Sequence, residues 1–135
     1  MTDLPEFYFR IRDNGAAMFR VSTENRQKRI EMHEIAVINI RNGNIRPHGN
    51  HVLSRNEQDA IDTWVAERRV TLAARDIDDI HRSVEHLNKT AHWAQSRASD
   101  ADLEAVTDRL LMAMHDLRSV LVRKKADRIG RASKD

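Results

Sequence analysis

The sequence predicts an α+β fold: an N-terminal antiparallel β-meander of about four strands packed on a long, coiled-coil-like helical hairpin. Three observations carry this. Period-two alternation flanks Asn14-Gly15 near the start of the chain. Apolar residues recur at gaps of four and three from Ala66 through Val70, Ala73, Ile77, Ile80, Val84, Leu87 and Ala91 to Ala94. Two capping-box patterns, Ser54 with Glu57 and Ser99 with Asp102, mark two helix starts.

The β region spans residues 6–46. From Glu6 to Asp13, Phe7, Phe9 and Ile11 fall on one face and Tyr8, Arg10 and Arg12 on the other. Asn14-Gly15 suits a two-residue type I′ turn, whose two central residues take positive φ. A second strand, Ala16 to Ser22, is then expected to add Ala17, Phe19 and Val21 to the apolar face, with Arg20 opposite. Thr23 to Lys28 is polar and reads as a loop. Arg29 to Ile40 reads as a third strand, and its alternation slips between Met32 and Ile35, which places a bulge or break near His33-Glu34. Asn42-Gly43 turns the chain into a short strand around Asn44 to Arg46, which Pro47 ends. So small a sheet must bury its apolar face on the helices.

The first helix is expected over 54–97, with no breaker between Glu57 and Arg97. It carries two apolar stripes. Ile61, Trp64, Val65 and Leu72 cluster on one side, and the heptad seam lies about 120° away. The first stripe should meet the sheet and the second the other helix. That second helix is expected over 99–129, after a tight turn at Arg97-Ala98-Ser99. Its seam is Leu103, Val106, Leu110, Ala113, Leu117 and Val120, widened by Met114 and Leu121, with Leu111 and Val122 beyond the edge. One facing helix needs only a narrow stripe, so the surplus points to a further partner, most economically a second copy of the chain. Residues 130–135 read as a disordered tail, and residues 1–135 as a single domain.

Composition narrows the function classes. The chain holds 23 Lys and Arg against 21 Asp and Glu, a net charge of +2. Residues 1–56 contain nine basic and six acidic residues, and 57–135 contain fourteen and fifteen. This skew is weak beside the basic stripe of a dedicated DNA binder. With no cysteine, disulfides, thiolate metal sites and cysteine nucleophiles are excluded. No apolar run approaches the roughly 18 residues that cross a bilayer. Met1-Thr-Asp-Leu-Pro lacks the charged-then-apolar pattern of a secretory signal, so a cytoplasmic location without membrane contact is expected.

Candidate chemistry is sparse. His48 and His51 lie three apart in a Gly/Asn loop without the third protein ligand that zinc takes. Asp78 and His81 share a helix face, but Ile77, Ile80 and Val84 hold the inward positions. No Gly-x-Ser-x-Gly elbow or phosphate-cradling glycine pattern occurs. No catalytic residue, metal or cofactor is therefore expected. The reading is a non-catalytic homodimeric interaction or assembly module, with a further protein partner unidentified. Its contact residues are Trp93, Leu110, Leu111, Met114, Leu117 and Leu121. The alternative is nucleic-acid binding through a sheet face of Tyr8, Arg10, Arg12 and Arg20, where stacking and phosphate contact could combine.

Overall fold

The computed structural model describes residues 4–133. Four strands, β1 (Phe7–Arg12), β2 (Gly15–Ser22), β3 (Glu31–Asn39) and β4 (Ile45–Pro47), precede two helices, α1 (Arg55–Ser96) and α2 (Asp100–Ala132). The strands form one antiparallel meander in the order β1-β2-β3-β4. The fold is thus α+β with a C-terminal helical hairpin. Its residues group into two compact units, one running up to Asp79 and the other starting at Ile80.

The first hairpin turns one residue earlier than its sequence suggests. Arg12 pairs with Gly15, so Asp13 and Asn14 form the two-residue loop and Gly15 is the first residue of β2. The turn is not type I′, because Lys28 is the only described non-glycine residue with positive φ. Glycine is needed at position 15 for a different reason. A Cβ there would run into the backbone carbonyl of Ile38 on the neighbouring strand.

Moving a two-residue loop by one position shifts the register by two, so Phe7, Phe9 and Ile11 face even-numbered residues of β2 wherever that loop sits. Phe7 pairs with Arg20, Phe9 with Met18 and Ile11 with Ala16, which puts Ala16, Met18 and Arg20 on the side of α1. Ala17 and Phe19 lie opposite, paired with Arg10 and Tyr8. The expected assignment of Ala17, Phe19 and Val21 to the core face, with Arg20 opposite, is corrected. Alternation could not decide the matter, since Ala16, Ala17, Met18 and Phe19 are apolar in succession and all are buried.

The bulge expected in the third strand is present, one residue on. Met18 pairs with Ala36 and Phe19 with Glu34, leaving Ile35 as the extra residue. Ile35 is buried and joins Met18, Ala36 and Ile38 in the core. The strand starts at Glu31, two residues later than expected, because Asn25 organises the preceding loop. Its side-chain oxygen accepts from the Gln27 and Arg29 N–H groups, and its Nδ2 donates to the Arg29 carbonyl. The second Asn-Gly does mark a turn, with Gly43 at φ 75° and its N–H donating to the Asn39 carbonyl.

α1 begins with a reciprocal capping box. The Glu57 N–H donates to Ser54 Oγ at 3.1 Å, and the Ser54 N–H donates to Glu57 Oε1 at 2.8 Å. One turn on, Ile61 is fully buried against Met18, Ile35, Ala36 and Ile38, with Trp64 and Val65 packed around them. Trp64 stacks on Phe9 at 5.1 Å between centroids and 4° between planes. The first apolar stripe therefore meets the sheet as expected, except that Leu72 stands outside this cluster. Arg69 adds a tether, donating to the Ile40 carbonyl at 3.2 Å.

Glu57 is 1% exposed and gathers further donors. Arg20 Nη2 donates to its Oε2 at 2.8 Å, and His51 Nε2 lies 2.9 Å from Oε1. Burial alone would raise the pKa of this carboxyl. The Ser54 N–H, Arg20, His51 and the charge of His51 outweigh it, lowering the pKa from 4.5 to about 2.

α1 is a continuous helix of 42 residues. Trp93 closes it by accepting from the Arg97 and Ala98 N–H groups, and Ser99 Oγ accepts from the Asp102 N–H to start α2. α2 continues to Ala132 rather than ending near Ile129. The expected tail is thus helical from Gly130 to Ala132, while Lys134 and Asp135 lie outside the described residues. Arg131 in the last turn favours this extension by complementing the helix dipole.

Two predictions test this architecture. Gly15→Val should cost about 3 kcal/mol, since the added side chain must displace the backbone of β3; denaturant unfolding matching the parent would refute the register. For Glu57, the folded-state pKa lies below the unfolded one. Its contribution is therefore full above about pH 4.5 and is lost as pH falls through about 2. At about 1.4 kcal/mol per pKa unit, it amounts to about 3 kcal/mol. Glu57→Gln should lose about 1–3 kcal/mol at pH 7 and flatten the acid limb of stability, measured by urea unfolding from pH 7 to 3.

Candidate interaction surfaces

The unit that starts at Ile80 holds five of the six expected contact residues on α2. Among the described residues α2 contains no buried side chain. Leu117 and Leu121 are 55% and 58% exposed, and Leu110, Leu111 and Met114 are also exposed. Between the end of α1 and the start of α2 lies an apolar groove of about 250 Å³, lined by Leu87, Trp93, Leu103, Val106, Leu110 and Met114 among others. Trp93 belongs to this groove and is half-buried there. The structure therefore brings Trp93 together with Leu110, Leu111 and Met114, while Leu117 and Leu121 continue the exposed face beyond it.

The heptad seam of α1 is not enclosed within this unit. Ile80 and Val84 are 59% and 51% exposed, and Leu87 is exposed too. Patches of large apolar side chains this extensive are uncommon on isolated monomers.

In the first unit, three of the four residues expected on one sheet face stay together. Tyr8, Arg10 and Arg12 project from β1 on the side away from α1, and Arg46, paired with Val37 opposite Ala17, shares that side. Arg10 lies over the Phe19 ring at 4.5 Å, and Arg12 approaches Glu34 at 3.9 Å. Arg20 is the exception. It points to the helix side, held by Glu57, by Glu6 at 3.4 Å and over the Phe7 ring at 5.2 Å.

The histidine pair is divided between two carboxylates. His48 Nδ1 is 3.0 Å from Glu34, and His51 Nε2 is 2.9 Å from Glu57. Among the described residues no group of three or more His, Asp and Glu is placed to hold a metal. The pKa of Glu57 is displaced, and perturbed carboxyls often mark active sites. Here the shift is downward and every donor comes from the protein, so the group stays ionised at neutral pH and is a poor proton acceptor. Its part is to join α1 to the sheet.

Sequence reasoning found half of this cluster. The capping box identifies Ser54 and Glu57, but the alternation of β2 puts Arg20 on the other face, and the spacing of His48 and His51 points to no partner for His51. No local pattern signals either contact, because both depend on the register of β2 and the path of the loop before α1. No known protein family, curated protein or solved structure matches this chain.

Proposed function

We propose that the chain is a non-catalytic, self-associating assembly module whose helical hairpins pair with those of a second copy as a four-helix bundle. The observation that carries this is the apolar face of α2, exposed along Leu110, Leu111, Met114, Leu117 and Leu121. The exposed residues of α1, Ile80, Val84 and Leu87, keep heptad spacing, which fits knobs-into-holes packing with a further helix.

Charge supports a second copy as the occupant. Residues 100–108 of α2 hold four acidic residues and no basic one. Residues 118–131 hold six basic residues and one acidic. Two copies of α2 laid antiparallel about a twofold axis bring each acidic half against a basic half. The nucleic-acid reading has lost Arg20 to the Glu57 cluster, and Arg10 and Arg12 are engaged with Phe19 and Glu34. It is the weaker of the two.

Light scattering should give at least twice the single-chain 15.6 kDa at micromolar concentration. Leu117→Glu should lower that mass and cost about 3 kcal/mol of association, because it places an unpaired charge in the shared apolar layer. A parent mass of 15.6 kDa that does not change with concentration would overturn the reading.

A further inference from the structure

The sheet has a second surface suited to self-recognition. Among the described residues β1 is an edge strand, paired with β2 on one side only. The Val21 N–H donates to the Glu6 carbonyl at 2.9 Å, which sets the alternation of hydrogen bonding along the hairpin. Glu6, Tyr8, Arg10 and Arg12 bond toward β2, so the N–H and C=O groups of Phe7, Phe9 and Ile11 point to the open edge. The edge is six residues long and holds no proline or bulge of the kind that blunts exposed strands, and its two charges, Arg10 and Arg12, are drawn toward Phe19 and Glu34 within the chain. Two of its large side chains are well exposed, Ile11 at 50% and Tyr8 at 44%.

We infer that β1 pairs antiparallel with β1 of a second copy, joining two four-stranded sheets across a twofold axis at Phe9. In this register Phe9 faces Phe9 of the other copy, Phe7 faces its Ile11, and Tyr8 faces its Arg10. The outward-bonding residues Phe7, Phe9 and Ile11 then exchange hydrogen bonds with one another, as an antiparallel ladder requires. On the face away from α1, Tyr8 meets a guanidinium, a favourable cross-strand pair. On the other face, a groove of about 530 Å³ flanks the edge, with Phe7, Phe9 and Trp64 on one part of its lining and Glu6, Asp59 and Glu67 on another.

The neighbouring registers are worse. A shift of two residues in one direction sets Arg10 against Arg10, a like-charge pair. The same shift in the other direction brings Pro5, which has no N–H, into the ladder. The pairing is separate from the helical association and does not rest on it.

Tyr8 and Arg10 of the two copies form a non-hydrogen-bonded pair, with Cα atoms about 4.5 Å apart, close enough for a disulfide. The chain has no cysteine of its own, so introduced thiols report on this contact alone. Tyr8→Cys and Arg10→Cys proteins, one of them carrying a mass tag, are mixed and oxidised mildly. The mixed disulfide should exceed the two-to-one statistical ratio over either homodimer by about fivefold. Adding Ile11→Pro to both proteins removes an edge N–H and the side chain that faces Phe7 of the other copy, and it spares the β1–β2 ladder, since the Ile11 N–H faces away from β2. It should abolish the preference while thermal unfolding stays close to that of the parent. Leu117→Glu should leave the crosslinking unchanged, which separates this interface from the helical one. A statistical product ratio, or a preference that survives Ile11→Pro, would overturn the inference.

Discussion

The carboxylate of Glu57 is where the sheet and the first helix become one structure. It closes the capping box with Ser54, receives Arg20 from the middle of the sheet and meets His51 from the connecting loop. A buried charge costs several kcal/mol unless its oxygens are satisfied, so these partners must be in place together. The arrangement requires Arg20 to lie on the helix side of β2. That in turn requires the two-residue Asp13-Asn14 loop. A loop one residue longer or shorter would send Arg20 to the opposite face and leave Glu57 without its cation.

The core built around this anchor is small. Met18, Ile35, Ala36, Ile38 and Ile61 form it, with Phe7, Phe9, Trp64 and Val65 at the margin. The bulge at Ile35 lets two adjacent residues of β3 contribute to one cluster, which a regular strand could not do. Much of the remaining apolar content, from Val70 along α1 and from Leu110 along α2, stays in contact with water in the single chain. Hydrophobic burial yields about 25 cal/mol per Å². The open faces hold apolar area whose burial in the proposed association would add to that energy.

Two kinds of surface are available for that gain, and they differ in physics. The helical face is apolar and wide, with opposite charge at its two ends, so it favours contact area and orientation. The β1 edge offers backbone hydrogen bonds, which impose a register but bury less. The polar cluster is different from both. Its donors and acceptors are satisfied internally, and among the described residues no buried polar side-chain atom lacks a partner. That cluster holds the fold, while the surfaces that can recognise something are the ones whose groups remain unsatisfied.

The α+β class, the meander, the two capping boxes, the stripe of Ile61, Trp64 and Val65, and the apolar breadth of α2 were all legible in the chain. Each rests on spacing within about ten residues, where helix and strand periods are strict. The sides of β2 are misread from its own alternation: a two-residue loop at either place sets Phe9 and Ile11 opposite even-numbered residues, so the length of the loop and not its position fixes the faces. Asn14-Gly15 is the better turn dipeptide locally, and a run of four apolar residues gives no parity. The close approach of Ile38 to Gly15 decided the register instead, and that contact spans 23 positions of sequence. Trp93 is among the contact residues expected from the sequence, yet only the return of α2 shows that it lines a groove with Leu110 and Met114. Local periodicity thus determined which elements exist and where the helices start. Tertiary contact decided the register of β2 and the partners of Arg20 and His51, because those contacts join residues far apart in sequence.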